Sequence, residues 1–247
     1  MDLQCIEEAS LNAWPALKQT LYDGWVLRFS EGYTKRANSV NPLYHSTLGL
    51  GEKINYCEHI YTEQGLPPIF RITEPFAPPD LDSVLAERGY QRFDPTRVMS
   101  MDLNAWEPLE SPEFTLIELP LDPWLQIFSQ LSGYNLEKQP LHKKILELIL
   151  SPSLRVSLEI SGQPVTCGLG VQQGEKFGLF DIVTHSDHRN RGLGAQLVNE
   201  MLHWARQYGA RLVYLQVMEN NAPARHLYTK LGFRDLYRYW YRVPESM

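Results

Sequence analysis

The chain has 247 residues, of which 43 % are hydrophobic and 21 % charged, a composition that excludes a largely disordered protein. A net charge of −6 argues against a large nucleic-acid-binding face, because neutralising phosphates takes an excess of Lys and Arg. No stretch reaches the roughly 18 apolar residues of a membrane helix and the start lacks a signal-peptide pattern, so we expect a cytoplasmic protein without membrane or nucleic-acid partners.

Secondary structure can be predicted in chain order from residue 114. A short strand at 114–119 precedes two helices, 122–134 and 141–150, whose apolar residues recur at helical spacing. The period then changes, and three strand-like runs follow at 155–160, 165–172 and 177–184. The turns SGQP and QGEK between these runs predict antiparallel hairpins.

A loop, two helices and two strands complete the chain. In order, the predicted loop, helix, strand, helix and strand span residues 185–192, 193–208, 211–217, 221–231 and 237–243. Gly209 and Gly232 end the two helices, and Asn221 is placed as the N-cap of the second one.

Glycine motifs of the second half recur in the first half. Gly49 and Gly89 have counterparts in Gly192 and Gly232, each 143 residues later, and predicted strands, turns and helices coincide at the same offset. We interpret this as an internal duplication, with the chance coincidence of two glycine turns as the alternative. The expected fold class is α/β of the α+β kind, with two lobes, 1–110 and 111–247, each a mixed, mostly antiparallel sheet flanked by helices.

The loop HRNRGLGAQL, which begins at His188, carries the pattern Arg-x-x-Gly-x-Gly just before a predicted helix. Unpaired N–H groups at a helix N-terminus bind anions, and the two glycines remove side chains that would block the approach. Arg189 and Arg191 add charge suited to a diphosphate. Because Ser46 and Leu48 stand at these positions in the first half, we expect only the second half to bind.

Two other phosphate-binding motifs fit this loop poorly. A Walker loop ends in Gly-Lys-Ser/Thr, whereas this sequence continues as GLGAQ. The dinucleotide-binding fingerprint needs a third glycine where Leu197 stands, and a parallel βαβ unit that the predicted hairpins argue against. If the six residues from Arg189 to Gly194 are considered alone, the alternative to an anion site is a helix that simply begins with glycines.

The order of strand, Arg-x-x-Gly-x-Gly loop, helix, strand and NAPARHLYTKLGF resembles the GNAT superfamily of acyl-CoA-dependent N-acyltransferases over residues 114–243. The resemblance implies acetyl-CoA or another acyl-CoA as the donor. Its diphosphate would be held by the loop amides, and its pantetheine arm by the preceding strand. The implied coenzyme-binding residues are Ile182, Val183, Thr184, Arg189, Asn190, Arg191, Gly192, Leu193, Gly194, Ala195 and Asn221.

Tyr228 and Asp181 are the predicted catalytic residues. The resemblance places Tyr228 near the coenzyme sulfur, where a hydroxyl can stabilise or protonate the leaving thiolate. Asp181 is the only carboxylate in its apolar strand and the first candidate for the base, with Glu219 as the second. Strand alternation predicts that Asp181 faces away from Phe180. A structural hydrogen bond or a water relay is the alternative for Asp181, and a core position is the alternative for Tyr228.

A metal site is not predicted. His142, His185, Asp187 and His188 are ligands by type, but they do not form a fixed set with ligand spacing. The three cysteines, Cys5, Cys57 and Cys167, are too widely spaced for a zinc or disulfide framework.

The sequence therefore predicts an N-acetyltransferase that moves an acetyl group from acetyl-CoA to a primary amine of a small molecule or peptide by direct transfer. The first lobe is expected to serve as scaffold or acceptor wall, and homodimer formation stays open. The acidic composition weakly favours a cationic acceptor through electrostatic steering. The alternative is a non-catalytic acyl-CoA sensor, although such a binder would not need Tyr228.

Overall fold

The computed structural model describes residues 2–109, 115–133 and 139–245. Its α-helices are α1 (Leu3–Ala13), α2 (Leu50–Glu63), α3 (Leu81–Glu87), α4 (Leu121–Ser132), α5 (Gln139–Glu147), α6 (Leu193–Gln207) and α7 (Ala222–Lys230). Its strands are β1 (Lys18–Tyr22), β2 (Trp25–Phe29), β3 (Val40–Pro42), β4 (Phe70–Thr73), β5 (Tyr90–Asp102), β6 (Thr115–Glu118), β7 (Ser153–Ile160), β8 (Gln163–Gln173), β9 (Lys176–Thr184), β10 (Leu212–Met218) and β11 (Arg234–Pro244). Within these three ranges, no helix has the length and apolar character needed to cross a membrane.

The described strands form one sheet in the order β1-β2-β3-β4-β11-β5-β10-β9-β8-β7-β6. Most neighbouring strands are antiparallel, whereas β3 with β4 and β9 with β10 are parallel. The predicted mixed, mostly antiparallel sheet flanked by helices is thus confirmed. The two halves contribute to a single continuous sheet.

The last strands of the two halves cross over in the middle of this sheet. β5 of the first half pairs with β10 and β11 of the second, and β11 also pairs with β4 of the first half. The sheet of each half is therefore continued by the last strand of the other. The predicted boundary at residue 110 lies outside the described residues.

The three predicted strands before the Arg-Gly motif form the antiparallel hairpins β7–β8 and β8–β9, as expected. Ser161 and Gly162 supply the two left-handed residues of the first tight turn. The prediction that the hairpins exclude a parallel βαβ unit was wrong, because the hairpins end at β9 and α6 then crosses back to place β10 parallel to it. Leu197, which is fully buried, remains the departure from the dinucleotide fingerprint.

Helices pack on both faces of the second-half sheet. On one face, α1, α4 and α5 enclose a core that contains Trp14, Phe128 and Phe180. On the other face, α6 and α7 enclose a core that contains Leu197 and Tyr228. Side chains from both cores can therefore reach a place where two strands of this sheet separate.

Candidate active site

A gap in the sheet opens between β9 and β10. Their parallel pairing joins residues 212–215 to 176–179, and among the described residues it goes no further. A cavity of about 250 Å³ lies where the strands part. The described residues that line it come from both strands, from α7 and its N-cap, and from the first half. They are Arg36, Leu179, Phe180, Asp181, Ile182, Leu215, Gln216, Val217, Met218, Asn221, Ala224 and Tyr228.

A β-bulge bends β9 at the edge of this cavity. Leu169 pairs with Phe180 and Cys167 with Val183, so that two residues of β9, Asp181 and Ile182, stand opposite one residue of β8. Asp181 takes up the extra length with a left-handed φ of 48°. Bulges of this kind are common next to active sites, where they redirect a side chain.

The bulge changes the direction of the Asp181 side chain. Phe180 packs 6.3 Å from the ring of Trp14, and the ring of His142, which contacts Asp181, lies 5.4 Å from Trp14. Phe180 and Asp181 therefore face the same side of the sheet. The prediction that Asp181 faces away from Phe180 was wrong, because strict alternation fails at a bulge.

Asp181 forms a close pair with His142 of α5. The two groups are 3.0 Å apart, from Nε2 of His142 to Oδ2 of Asp181. His142 is 1 % exposed and its ring packs against Trp14 and Phe128, whereas the Asp181 side chain is 18 % exposed and lines the cavity. One carboxylate thus links a buried imidazole to the cavity. Sequence reasoning treated His142 only as a metal ligand by type and missed this pair.

Glu219, the second candidate for the base, is engaged elsewhere. Its Oε1 lies 2.6 Å from a guanidinium nitrogen of Arg97, which also pairs with Asp235. Glu219 is not among the described residues that line the cavity. As the candidate for the base, Asp181 is therefore better placed than Glu219.

Tyr228 reaches the cavity from α7, on the other face of the sheet. The residue is 8 % exposed, and burial raises the pKa of its hydroxyl to about 12. Its hydroxyl therefore stays protonated at neutral pH and can donate a hydrogen bond. Asn221 is the N-cap of α7, as predicted, with its side-chain oxygen accepting from the Ala224 N–H at 3.2 Å.

The Arg-Gly loop, as we call residues 189–195, includes the first three residues of α6. Asn190 and Gly192 have left-handed φ values of 60° and 78°. Gly192 is the N-cap of α6, no side chain caps it, and the first turn carries no acidic residue. The positive end of a 15-residue helix thus remains available to an external anion.

The two loop glycines have different physical roles. A Cβ on Gly192 would meet no atom within 4 Å, so the constraint that the fold itself places there is the left-handed φ. A Cβ on Gly194 would lie 3.2 Å from Leu227 and 3.4 Å from Thr184. Gly194 therefore lets α6 pack closely against α7 and β9.

The other predicted coenzyme-binding residues lie around this loop. Ile182, Val183 and Thr184 are partly buried on β9, where β8 pairs with one edge of the strand. Arg189 and Arg191 are exposed, and Nε of Arg189 donates to the carbonyl of Thr184 at 3.3 Å. The side chains of the remaining loop residues differ in exposure: Asn190 is exposed, Ala195 is partly buried and Leu193 is buried in the core.

In the first half, a carboxylate of the chain itself fills the loop that lies 143 residues before the Arg-Gly loop. Asp23 accepts hydrogen bonds from the backbone N–H groups of Thr47 and Leu48 at 3.0 and 2.9 Å. The Thr47 hydroxyl donates to it at 2.8 Å, and the ammonium of Lys53 lies 3.1 Å away. These amides precede α2 as those of residues 190 and 191 precede α6, so an internal anion occupies the position. Sequence comparison of the two halves did not reveal this.

This internal contact predicts a pH-dependent stability. The hydrogen bond from the Leu48 backbone is the main reason that the pKa of Asp23 is well below its usual range. The folded state then binds fewer protons than the unfolded state near the ordinary Asp pKa of about 3.9, so the stabilisation is lost as pH falls through that region. In urea unfolding between about pH 5 and 3, we expect Asp23→Asn to show a smaller loss of stability than wild type.

The matched control is Asp80→Asn, which changes an exposed aspartate whose side chain makes no capping bond to α3. It should keep the wild-type pH dependence. If the free energy of unfolding changes with pH by the same amount in the two variants, the role given to Asp23 is contradicted.

Comparison with known proteins places the chain in a family. The family model "Probable histone acetyltransferase Rv0428c C-terminal" matches residues 1–242. The uncharacterized N-acetyltransferase YobR of Bacillus subtilis is 31 % identical, and the match covers 98 % of each chain.

Solved structures share the fold. A GCN5-related N-acetyltransferase from Kribbella flavida has a TM-score of 0.74 at 16 % identity, over 99 % of this chain and 96 % of that one. A tandem GNAT protein from the clavulanic acid biosynthesis pathway has a TM-score of 0.63 at 14 % identity, over 83 % of this chain and 75 % of its own. With the family model covering nearly all of the sequence, the chain belongs to the Rv0428c C-terminal family and is an acyltransferase of the GNAT superfamily.

Proposed function

We propose that this protein transfers an acetyl group from acetyl-CoA directly to a primary amine in the cavity between β9 and β10. The observation that carries the proposal is that Asp181 and Tyr228 line one cavity although they belong to opposite faces of the sheet. A donor and an acceptor can then meet at the gap from different sides. This arrangement suits a reaction of two substrates in a ternary complex.

The coenzyme would lie on the face that carries α6 and α7. The uncapped N-terminus of α6, with Arg189 and Arg191 beside it, suits a diphosphate. Beyond residue 179, β9 is no longer paired with β10, which leaves a backbone edge that an extended pantetheine arm can follow through Ile182, Val183 and Thr184. Bound there, acetyl-CoA supplies an activated thioester.

Asp181 would accept the proton that the acceptor nitrogen loses as the new N–C bond forms. Tyr228 would donate a hydrogen bond to the sulfur as the C–S bond breaks. Because burial raises the pKa of Tyr228 to about 12, its hydroxyl carries its proton at neutral pH and is ready to donate to the sulfur as negative charge develops there. Tyr228 would therefore stabilise the leaving thiolate, which takes its final proton from Tyr228 or from solvent.

Replacement of Tyr228 by phenylalanine is expected to lower kcat by about tenfold, because the charge on sulfur develops only in the transition state. The dissociation constant of acetyl-CoA should change little. Thiol release under acceptor saturation and calorimetric titration of the coenzyme measure the two quantities. Tyr208→Phe, which changes a tyrosine 62 % exposed at the end of α6, is the control and should keep the wild-type kcat. An unchanged kcat in Tyr228→Phe would remove the hydroxyl from the mechanism.

The comparison that separates an enzyme from an acyl-CoA sensor is thiol release with and without amine. A rate that rises with amine concentration and saturates, with the acetylated amine detected by mass, supports transfer. Tight binding of acetyl-CoA with thiol release no faster than hydrolysis in the presence of every amine tested would favour the sensor.

We further propose that the two halves are copies of one unit, residues 1–110 and 111–247, and that the first serves as scaffold and acceptor wall. Support comes from α2 and α6, which begin at positions already matched by the glycine motifs. The loop of the first half is filled by Asp23. The first half also contributes Arg36 to the cavity.

A further inference from the structure

We infer that the acceptor is a small amine that also carries an anionic group, a carboxylate or a phosphate, and that Arg36 binds this group. The inference rests on the proposed acetyl transfer and names the acceptor class. Arg36 comes from a 3₁₀ turn of the first half, Lys35–Ala37, and lines the same cavity as Asp181.

Arg36 is a cation held by aromatic rings rather than by an anion. Its guanidinium carbon lies 5.6 Å from the ring centre of Trp14 and 5.9 Å from that of Phe180. Its Nε is buried without a hydrogen-bond partner, and among residues 2–109, 115–133 and 139–245 no carboxylate lies within 4.0 Å of the group. The neighbouring Lys35, in contrast, pairs with Asp94 at 3.0 Å. Packing by rings fixes the guanidinium while its donors keep the capacity to bind a planar anion.

The surroundings of Arg36 add positive charge. Arg28 is fully buried and donates to the backbone carbonyl of Arg36 at 2.8 Å. Burial, together with the like charges of Arg71 and Arg36, lowers the pKa of Arg28 to about 10. Only Arg71 in this described group has a carboxylate partner, Glu7. An anion placed at Arg36 would offset this excess of positive charge.

The position of Arg36 separates it from the proposed coenzyme-binding groups. It packs on Phe180, the residue directly before Asp181, and so lies on the face of α1, α4 and α5. The Arg-Gly loop begins beyond the far end of β9 and belongs to the face of α6. A negative charge near Arg36 would thus belong to the acceptor, with its amine directed to Asp181.

Size and charge together define the acceptor class. A cavity of about 250 Å³ suits the reacting ends of two ligands rather than a folded partner. Asp181 and Arg36 offer one negative and one positive group on adjacent parts of the lining. This favours a molecule whose amino and anionic groups are a few bonds apart, in contrast to the cationic acceptor that the overall composition favours.

The test is an acceptor series of matched pairs. It contains α-amino acids and their amides, ω-amino carboxylates and the corresponding alkylamines, aminoalkyl phosphates and the corresponding amino alcohols, and a lysine-rich peptide. Thiol release gives kcat and KM, and mass spectrometry identifies the product. We expect the anionic member of at least one pair to have a KM about 30-fold lower than its neutral partner, as for a charge-assisted hydrogen-bonded pair.

Arg36→Met should raise the KM of the anionic acceptor by about 30-fold and leave that of the neutral partner unchanged. Arg36→Lys should retain part of the preference, and Lys35→Met, which removes the adjacent charge, should retain all of it. Urea unfolding shows whether Arg36→Met is folded. If it is not, the KM ratio of anionic to neutral acceptor in Arg36→Lys and in the wild type tests the inference.

The outcomes separate this inference from the proposed function. Acetylation of neutral amines or of the lysine-rich peptide as efficient as that of every anionic partner would overturn the role of Arg36 and leave acetyl transfer intact. A preference that survives in Arg36→Met would do the same. If acetyl-CoA binds and none of the amines is acetylated, the proposed transfer fails and the inference fails with it.

Discussion

Asp181→Asn is expected to lower kcat by about 100-fold or more, with little change in the dissociation constant of acetyl-CoA. The asparagine keeps the shape of the side chain and its place in the bulge but cannot accept a proton. The carboxylate lies between a buried imidazole, 3.0 Å away, and the cavity, where we propose that it receives a proton from the acceptor.

Two measurements separate a role in proton transfer from a role in coenzyme binding. Thiol release under saturation with both substrates gives kcat, and calorimetric titration gives the dissociation constant of acetyl-CoA. His142→Gln is expected to cause a smaller loss of kcat, since His142 contacts Asp181 at 3.0 Å and does not itself line the cavity.

Glu219→Gln is the matched control for the change of carboxylate to amide, because Glu219 is paired with Arg97. It should retain most of the activity. If Glu219→Gln instead shows the large loss of kcat and Asp181→Asn keeps most of the activity, the assignment of the base is wrong.

The double change Arg189→Ala and Arg191→Ala is expected to weaken acetyl-CoA binding by about 100-fold, since each charge-assisted hydrogen bond to a phosphate contributes about 1.5–3 kcal/mol. Raising the salt concentration should weaken binding to the wild type more than to this variant, because the charges that salt screens are then already absent.

Gly192→Ala should also weaken binding, because its φ of 78° disfavours any side chain and the new methyl group would face the ligand. The control is Gly49→Ala in the first half, where the φ of −64° is ordinary for alanine. Calorimetric titration with acetyl-CoA compares them. Equal losses in the two variants would mean that the first half also binds the coenzyme.

Features that depend on local pattern could be predicted from the sequence. The hairpin turns, the cap at Asn221 and the glycine that begins α6 each follow from the conformational preferences of a few neighbouring residues. The bulge at Asp181 does not, because the left-handed φ of this residue arises from the register between β8 and β9. A single extra residue in the ladder was enough to reverse the predicted direction of the side chain.

The pairing of His142 with Asp181 could not be predicted, because a helix and a strand 39 residues apart have to pack before the two side chains meet. The exchange of β5 and β11 between the halves is of the same kind. Asp23 and Arg36 show a further limit: comparison of aligned positions identified where the first half lost polar groups, and it missed polar groups placed elsewhere by the fold.

A crystal structure of the wild-type protein with coenzyme A most directly tests whether acyl transfer takes place in the gap between β9 and β10. We predict the diphosphate on the backbone amides of the Arg-Gly loop, the pantetheine arm along residues 182–184, and the thiol next to Tyr228 and Asp181 in the cavity. Coenzyme bound to the first half, or bound to the Arg-Gly loop with its thiol outside this cavity, would contradict it.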